Sequence, residues 1–122
     1  LHPESGVERG RIWRIVPANH KQRPRPQLSK ATTAELVALL DHPNGWHRDT
    51  ASRLLFQRQD RAAAELLRKM AANGNHPHAR VHALATLAGL GSLDSKVVLA
   101  AMQDPSPRVR EHAVRLAERF AD

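Results

Sequence analysis

An arginine followed three residues later by an alanine occurs three times in this chain, at Arg48/Ala51, Arg80/Ala83 and Arg110/Ala113, each time opening an apolar helical stretch. The copies lie 32 and 30 residues apart. A period of that length marks a stack of helix pairs, because one pair cannot bury its apolar face alone and needs the next to cover it. Ahead of each arginine lies a turn of proline and small polar residues: Pro43-Asn44-Gly45, Asn75-His76-Pro77 and Asp104-Pro105-Ser106-Pro107. The implied fold class is all-α, an α/α superhelix of about three helical hairpins over residues 31–122, preceded by an extended arm over residues 1–30. Such a stack offers a surface for binding or spacing, and its shape carries no chemistry of its own.

Composition sets limits on that stack. With 41% hydrophobic but only 3% aromatic residues, the core must be built from Leu, Ala and Val. No cysteine is present, which excludes disulfides, thiolate metal sites and covalent haem attachment within this segment. The apolar runs are far too short to cross a membrane. The chain starts at Leu1 without a charged-then-apolar leader and reads as an excised piece whose targeting signal, if any, lies outside it. The net charge of +7 raises nucleic-acid binding, and its distribution argues against it. Residues 1–30 carry seven basic against two acidic residues, +5, whereas residues 31–122 carry twelve against ten, +2.

The arm differs in character from the helical region. Gly10-Arg11-Ile12-Trp13-Arg14-Ile15-Val16-Pro17 is a β-prone run with no partner strand downstream, and Lys21-Gln22-Arg23-Pro24-Arg25-Pro26-Gln27 favours an extended, solvated chain. The arm is expected to be a tether laid across the helices. Six helices are predicted after it. The first is capped by Thr32 or Thr33 and carries Leu36, Val37, Leu39 and Leu40; the second runs from about Trp46 to Arg58 and buries Trp46, Ala51, Leu54 and Leu55. Asp60 caps a third with Ala63, Leu66, Leu67 and Met70 on one face, and His78–Gly89 is the fourth. Asp94 or Ser92 caps the fifth, and Pro107 opens the sixth, which runs through Val109, Ala113, Leu116 and Phe120. The alanines at 51, 83 and 113 are expected where the helices of a hairpin cross, so that a bulky replacement there separates them.

The turn with Asp or Asn and Pro, followed by a helix reading x-Val-Arg-x-x-Ala, resembles short bacterial HEAT repeats; Asp104-Pro105 through Ala113 is the cleanest copy. The resemblance implies that Arg48, Arg80 and Arg110 join a ladder of hydrogen bonds between turns, with Asp41, Asn73 or Asn75, and Asp104 as acceptors. Leu39 through Ala51, preceded by Gly10-Arg11-Ile12-Trp13-Arg14-Ile15, is similar to the middle of membrane-bound dehydrogenase-like proteins of planctomycetes. There a β-propeller precedes HEAT repeats and a c-type cytochrome domain often comes last. That resemblance implies a periplasmic or cell-envelope parent that can carry c-type haem, with protein or neighbouring domains as partners. No catalytic, cofactor-binding or haem residue carries over to this segment.

Eight histidines raise the question of a metal. His78 and His82 stand four apart on a helix with His76 just before them, but no carboxylate or cysteine joins them at ligand spacing, so no metal is assigned. There is no Gly-x-Ser-x-Gly elbow, phosphate-binding glycine loop or paired carboxylate, and Asp49 beside Arg48 is read as an ion pair at a helix start, so an enzyme is not expected. The expected function is a non-catalytic scaffold for protein or interdomain contact. The alternative is a basic HEAT-like module binding nucleic acid through Arg48, Arg53, Arg80, Arg108, Arg110, Arg115 and Arg119. Asp49, Glu111 and Glu118 are interleaved among those cations and stacking aromatics are scarce, which makes nucleic acid the lesser expectation.

Overall fold

The computed structural model describes residues 13–21 and 24–120. Six helices succeed one another: α1 (Thr33–Leu39), α2 (Gly45–Arg58), α3 (Ala63–Asn73), α4 (Pro77–Gly89), α5 (Ser95–Ala101) and α6 (Pro107–Ala117). Single 3₁₀ turns flank them at Leu28–Lys30 and Glu118–Phe120, and no strand occurs among the described residues.

Local chemistry sets most helix ends. Thr32 closes a capping box with Glu35 ahead of α1, so the two side chains satisfy each other's free backbone N–H groups. Those bonds, the backbone one first, hold the Glu35 carboxyl below its ordinary pKa. Asn44 caps α2 through the Trp46 N–H and Asp94 caps α5 through the Val97 N–H. Pro77 and Pro107 open α4 and α6, where their missing N–H is not needed. Gly91, at φ 61°, ends α4: its N–H bonds the Ala88 carbonyl while Ser92 N–H reaches back to Leu87. Asp60 is not the cap expected of it. The cap position of α3 is Ala62, and Asp60 instead accepts from the Ala62 N–H and from the Thr33 hydroxyl, tying the start of α1 to the α2–α3 turn.

The helices pair as α1–α2, α3–α4 and α5–α6. Consecutive hairpins then stack so that α1, α3 and α5 form one layer and α2, α4 and α6 the other. Between the layers lies an aliphatic core in which Leu36, Leu40, Leu55, Leu67, Leu84, Leu87, Leu90 and Val109 are completely buried. Each such side chain contributes roughly 1.5–3 kcal/mol relative to exposure. Ala51, Ala83 and Ala113 all have zero exposure. Leu54, expected in the core, is only partly buried, and Leu66 and Phe120 are exposed.

Burial at equivalent positions depends on whether another hairpin lies beyond. Val37 is 4% exposed and Leu84 0%, yet their equivalents in the last hairpin, Leu99 and Val114, are 61% and 58% exposed. Ser52, equivalent to Leu84 in the first hairpin, bonds Thr86 of α4 through its hydroxyl, which shows that this position faces the next hairpin along.

Within the arm, Leu28 is buried against the stack, and Arg58 donates to the carbonyls of Ser29 and Ala31 just beyond it. Trp13, Ile15 and Val16 are exposed and form no strand; residues 10–12 of the β-prone run lie outside the described residues.

Candidate protein-docking face

The three repeat arginines occupy one structural position. Arg48 donates to the carbonyls of His42 (2.7 Å) and Pro43 (2.9 Å), Arg110 to those of Asp104 (2.8 Å) and Pro105 (3.0 Å), and Arg80 to that of Gly74 (2.6 Å). In every copy the guanidinium therefore satisfies the carbonyl six residues upstream and closes its own hairpin's turn.

Only Arg80 also reaches the next turn. Its Nε and Nη2 grip both oxygens of Asp104 at 2.7 and 2.9 Å, with both side chains mostly buried. Burial alone would raise the Asp104 carboxyl. The bonds from Arg80 and the Ser106 N–H, with the charges of Arg80 and Arg110, outweigh it and leave the pKa lowered. The corresponding position for Arg48 is Gly74, which has no side chain to offer, and the Arg48 Nε is buried without a partner. A Cβ at Gly74 would meet the Met70 carbonyl oxygen at 2.7 Å, so the backbone excludes an aspartate there. Asp41 does not take part in an arginine ladder either: its partners are His76 at 2.7 Å and His78 at 3.4 Å.

Trp46 corrects an expectation. It is 55% exposed rather than buried at the first hairpin, because it lies in the first turn of α2, beyond the point where the helices meet. Its repeat equivalents are His78 and Arg108, polar residues that mark the position as outward-facing. That signal is present in the sequence once the three copies are aligned. Trp13, Phe56 and Phe120 are exposed as well, so all four Trp and Phe side chains of this chain stand at the surface and none serves the core.

Trp46, Asp49, Arg53 and Phe56 succeed one another at helical spacing along a single stripe of α2. Phe56, half exposed, lies over Gly89 of α4, where an added Cβ would approach its ring to 2.9 Å. Between α2 and α4 runs a groove of about 340 Å³ lined by Asp49, Ser52, Arg53, Phe56, His82 and Thr86, with Ala85 and Gly89 completing it. The Ser52 and Thr86 hydroxyls meet at 3.0 Å in it, and Thr86 also donates to the His82 carbonyl. His82 sits 3.9 Å from Asp49, and burial keeps its pKa below the ordinary value despite that carboxylate, with Arg48, His78 and His112 acting in the same direction as burial. A larger hollow of about 610 Å³ lies at the start of the stack, around Leu28, Ala38 and Leu39, where no hairpin precedes α1 among the described residues.

On α6 the cations are not free. Glu111 accepts from Arg108 at 3.1 Å and from Arg115 at 2.7 Å. The face formed by α2, α4 and α6 thus changes from aromatic at one end to net positive at the other, where Glu111 pairs with two of three arginines. Among the described residues, the Ser52 and Thr86 hydroxyls bond each other, and Thr86 bonds the His82 carbonyl, not the His82 ring.

The family description "HEAT repeats" matches residues 33–117, from the first residue of α1 to the last of α6. No curated protein and no solved structure matches the chain. HEAT repeats generally serve as scaffolds for contacts between proteins, and the family is typically non-catalytic. No helix among the described residues is long and apolar enough to cross a membrane. With the match covering well over half of the 122 residues, on a stack of three hairpins whose arginines repeat one set of turn contacts, the chain belongs to the HEAT-repeat family.

Proposed function

We propose that this chain is a rigid scaffold that docks a protein, or a neighbouring domain of its own parent chain, on the Trp46–Phe56 stripe of α2 and the adjoining groove. The observation that carries this is the placement of Trp46 and Phe56. In a chain with few aromatics both are half exposed on one helix face, over a core that is aliphatic throughout. Aromatic side chains supply large contact area at low entropic cost and dominate interface energetics. Arg48, Arg80 and Arg110 act structurally in this reading by closing the turns, Asp104 by joining two of them, and Ala51, Ala83 and Ala113 by letting the helices of each hairpin approach.

The similarity of Gly10–Ile15 and Leu39–Ala51 to the planctomycete dehydrogenase-like proteins supports a finer version. In it residues 1–30 lead from a preceding β-propeller, residues 31–122 space it from a downstream domain, and the parent is a cell-envelope oxidoreductase that can carry c-type haem. The nucleic-acid alternative is weakened by Glu111, which pairs with both Arg108 and Arg115 and offsets part of the positive charge of α6.

Affinity capture with the wild-type chain and with the double variant Trp46→Ala/Phe56→Ala separates the readings. The double variant retains its fold, losing about 1 kcal/mol or less because both side chains are half exposed. It should lose its partner by at least about tenfold in affinity, since a single interface aromatic contributes roughly 2 kcal/mol. Capture indifferent to the double substitution contradicts the stripe as the docking site. Oligonucleotide binding that falls about a thousandfold between roughly 50 and 200 mM salt favours the alternative.

A further inference from the structure

Between the first and second hairpins three metal-ligating side chains converge from distant parts of the sequence. Asp41 lies just after α1, His76 immediately precedes α4 and His78 lies in its first turn. One ligand atom from each falls within 4.8 Å of the others. Asp41 Oδ1 stands 2.7 Å from His76 Nδ1 and 3.4 Å from His78 Nε2. The two imidazoles are parallel to within 4°, with centroids 5.1 Å apart. Pro77 sets that arrangement. It holds His76 extended at φ −111° and ψ 143° and starts the helix on its other side, so the rings of residues 76 and 78 project together from a fixed backbone.

His76 is satisfied by its bond to Asp41. His78 Nε2 is not: it is closed off from solvent and has no hydrogen-bond partner, although the Asp41 oxygen lies close by. A buried nitrogen in that condition calls for an explanation, and a cation between the three groups provides one. We propose that Asp41, His76 and His78 form a binding site for a divalent transition-metal ion of the zinc class. Zinc bonds of about 2.0–2.2 Å place tetrahedral ligand atoms roughly 3.4 Å apart. The Asp41–His78 edge already has that spacing, and the Asp41–His76 edge opens to it by a small rotation of the His76 ring, which is 61% exposed. Solvent on the His76 side supplies the remaining ligand. Two imidazoles with a single carboxylate suit zinc, nickel or copper and not magnesium or calcium, which require oxygen donors throughout.

The site has a structural consequence. It bridges the one junction at which the repeat arginine finds glycine, Gly74, where Arg80 finds Asp104. A bound ion therefore ties the first two turns as the arginine–aspartate pair ties the second and third.

Calorimetric titration of the tag-free chain with zinc chloride, and thermal melting with and without it, tests the site. One zinc ion should bind per chain and raise the melting temperature, while magnesium chloride does neither. Affinity should fall at least about tenfold in His78→Gln, in His76→Gln and in Asp41→Asn, and stay at the wild-type value in His112→Gln. If circular dichroism shows Asp41→Asn to be unfolded, the two histidine variants read out the same site. Absence of stoichiometric zinc binding, or affinity unchanged in both His76→Gln and His78→Gln, would overturn the assignment.

Discussion

Replacing Asp104 with alanine should lower the unfolding free energy by about 3 kcal/mol, read as a shift of the urea midpoint at unchanged slope. The loss is large because the partner stays behind. Arg80 keeps its bond to the Gly74 carbonyl but loses both bonds to a carboxylate, with its charge in a mostly buried position. The Gly74 bond keeps the cost at the low end of what breaking a buried pair entails. Removing both partners is expected to behave differently. Arg80→Met combined with Asp104→Leu leaves no stranded charge and should recover part of the loss, which a double-mutant cycle measures.

The same pair gives a pH signature. The carboxyl of Asp104 has a folded-state pKa below its ordinary value, so the unfolded chain takes up the proton first as pH falls. The stability it contributes is complete above the unfolded-state pKa of about 3.9 and disappears as pH falls through the lower folded-state value. Asp104→Asn retains an acceptor for the Ser106 N–H while giving up the charge. The stability difference between wild type and Asp104→Asn should therefore be constant near neutrality and shrink only below about pH 4. A difference that persists unchanged into stronger acid would mean that the ion pair contributes nothing.

Leu84→Ala is the other substitution with a large expected effect, about 2–5 kcal/mol, because a fully buried leucine is truncated and the stack around it collapses only in part. Val114→Ala, at the equivalent position one repeat later, should change stability by no more than about 0.5 kcal/mol. The two positions share the same place on the second helix of a hairpin. They differ in that α6 packs beyond Leu84, whereas no hairpin covers Val114 among the described residues. The contrast therefore measures what one stacked neighbour contributes. Comparable losses at both positions would show that the face of the last hairpin is covered.

Features of this fold that depend on neighbours a few residues away are legible directly in the chain. Pro107, and Thr32 and Asp94 among the alternative caps, encode helix starts locally, and the structure uses all three, while Pro77 opens α4 one residue ahead of the expected His78. Other features depend on contacts across hairpins and are hidden from a linear reading. Asp41 meets His76 and His78 over 35 residues or more, a distance at which ligand spacing in sequence carries no information. Gly74 leaves Arg48 without the acceptor that Asp104 offers Arg80, a consequence visible only once turns are stacked in register. Hydrophobicity alone assigns Trp46 to the core, whereas its position in the repeat, shared with His78 and Arg108, points outward. Phe56 is inconspicuous for a related reason. Its significance comes from sharing a stripe with Trp46 and from lying over Gly89, not from any motif of its own.

Chemical accessibility at register-equivalent positions tests the stacked architecture most directly, and the absence of cysteine from the chain makes the measurement clean. Single variants Val37→Cys, Leu84→Cys, Leu99→Cys and Val114→Cys would be treated with a thiol reagent under native conditions and their labelling rates compared. Hairpins stacked in one direction predict slow labelling at 37 and 84, limited by opening of the structure, and fast labelling at 99 and 114. A closed bundle that shields all four positions would label slowly throughout, and that result would contradict the repeat architecture on which the docking face and the metal site both rest.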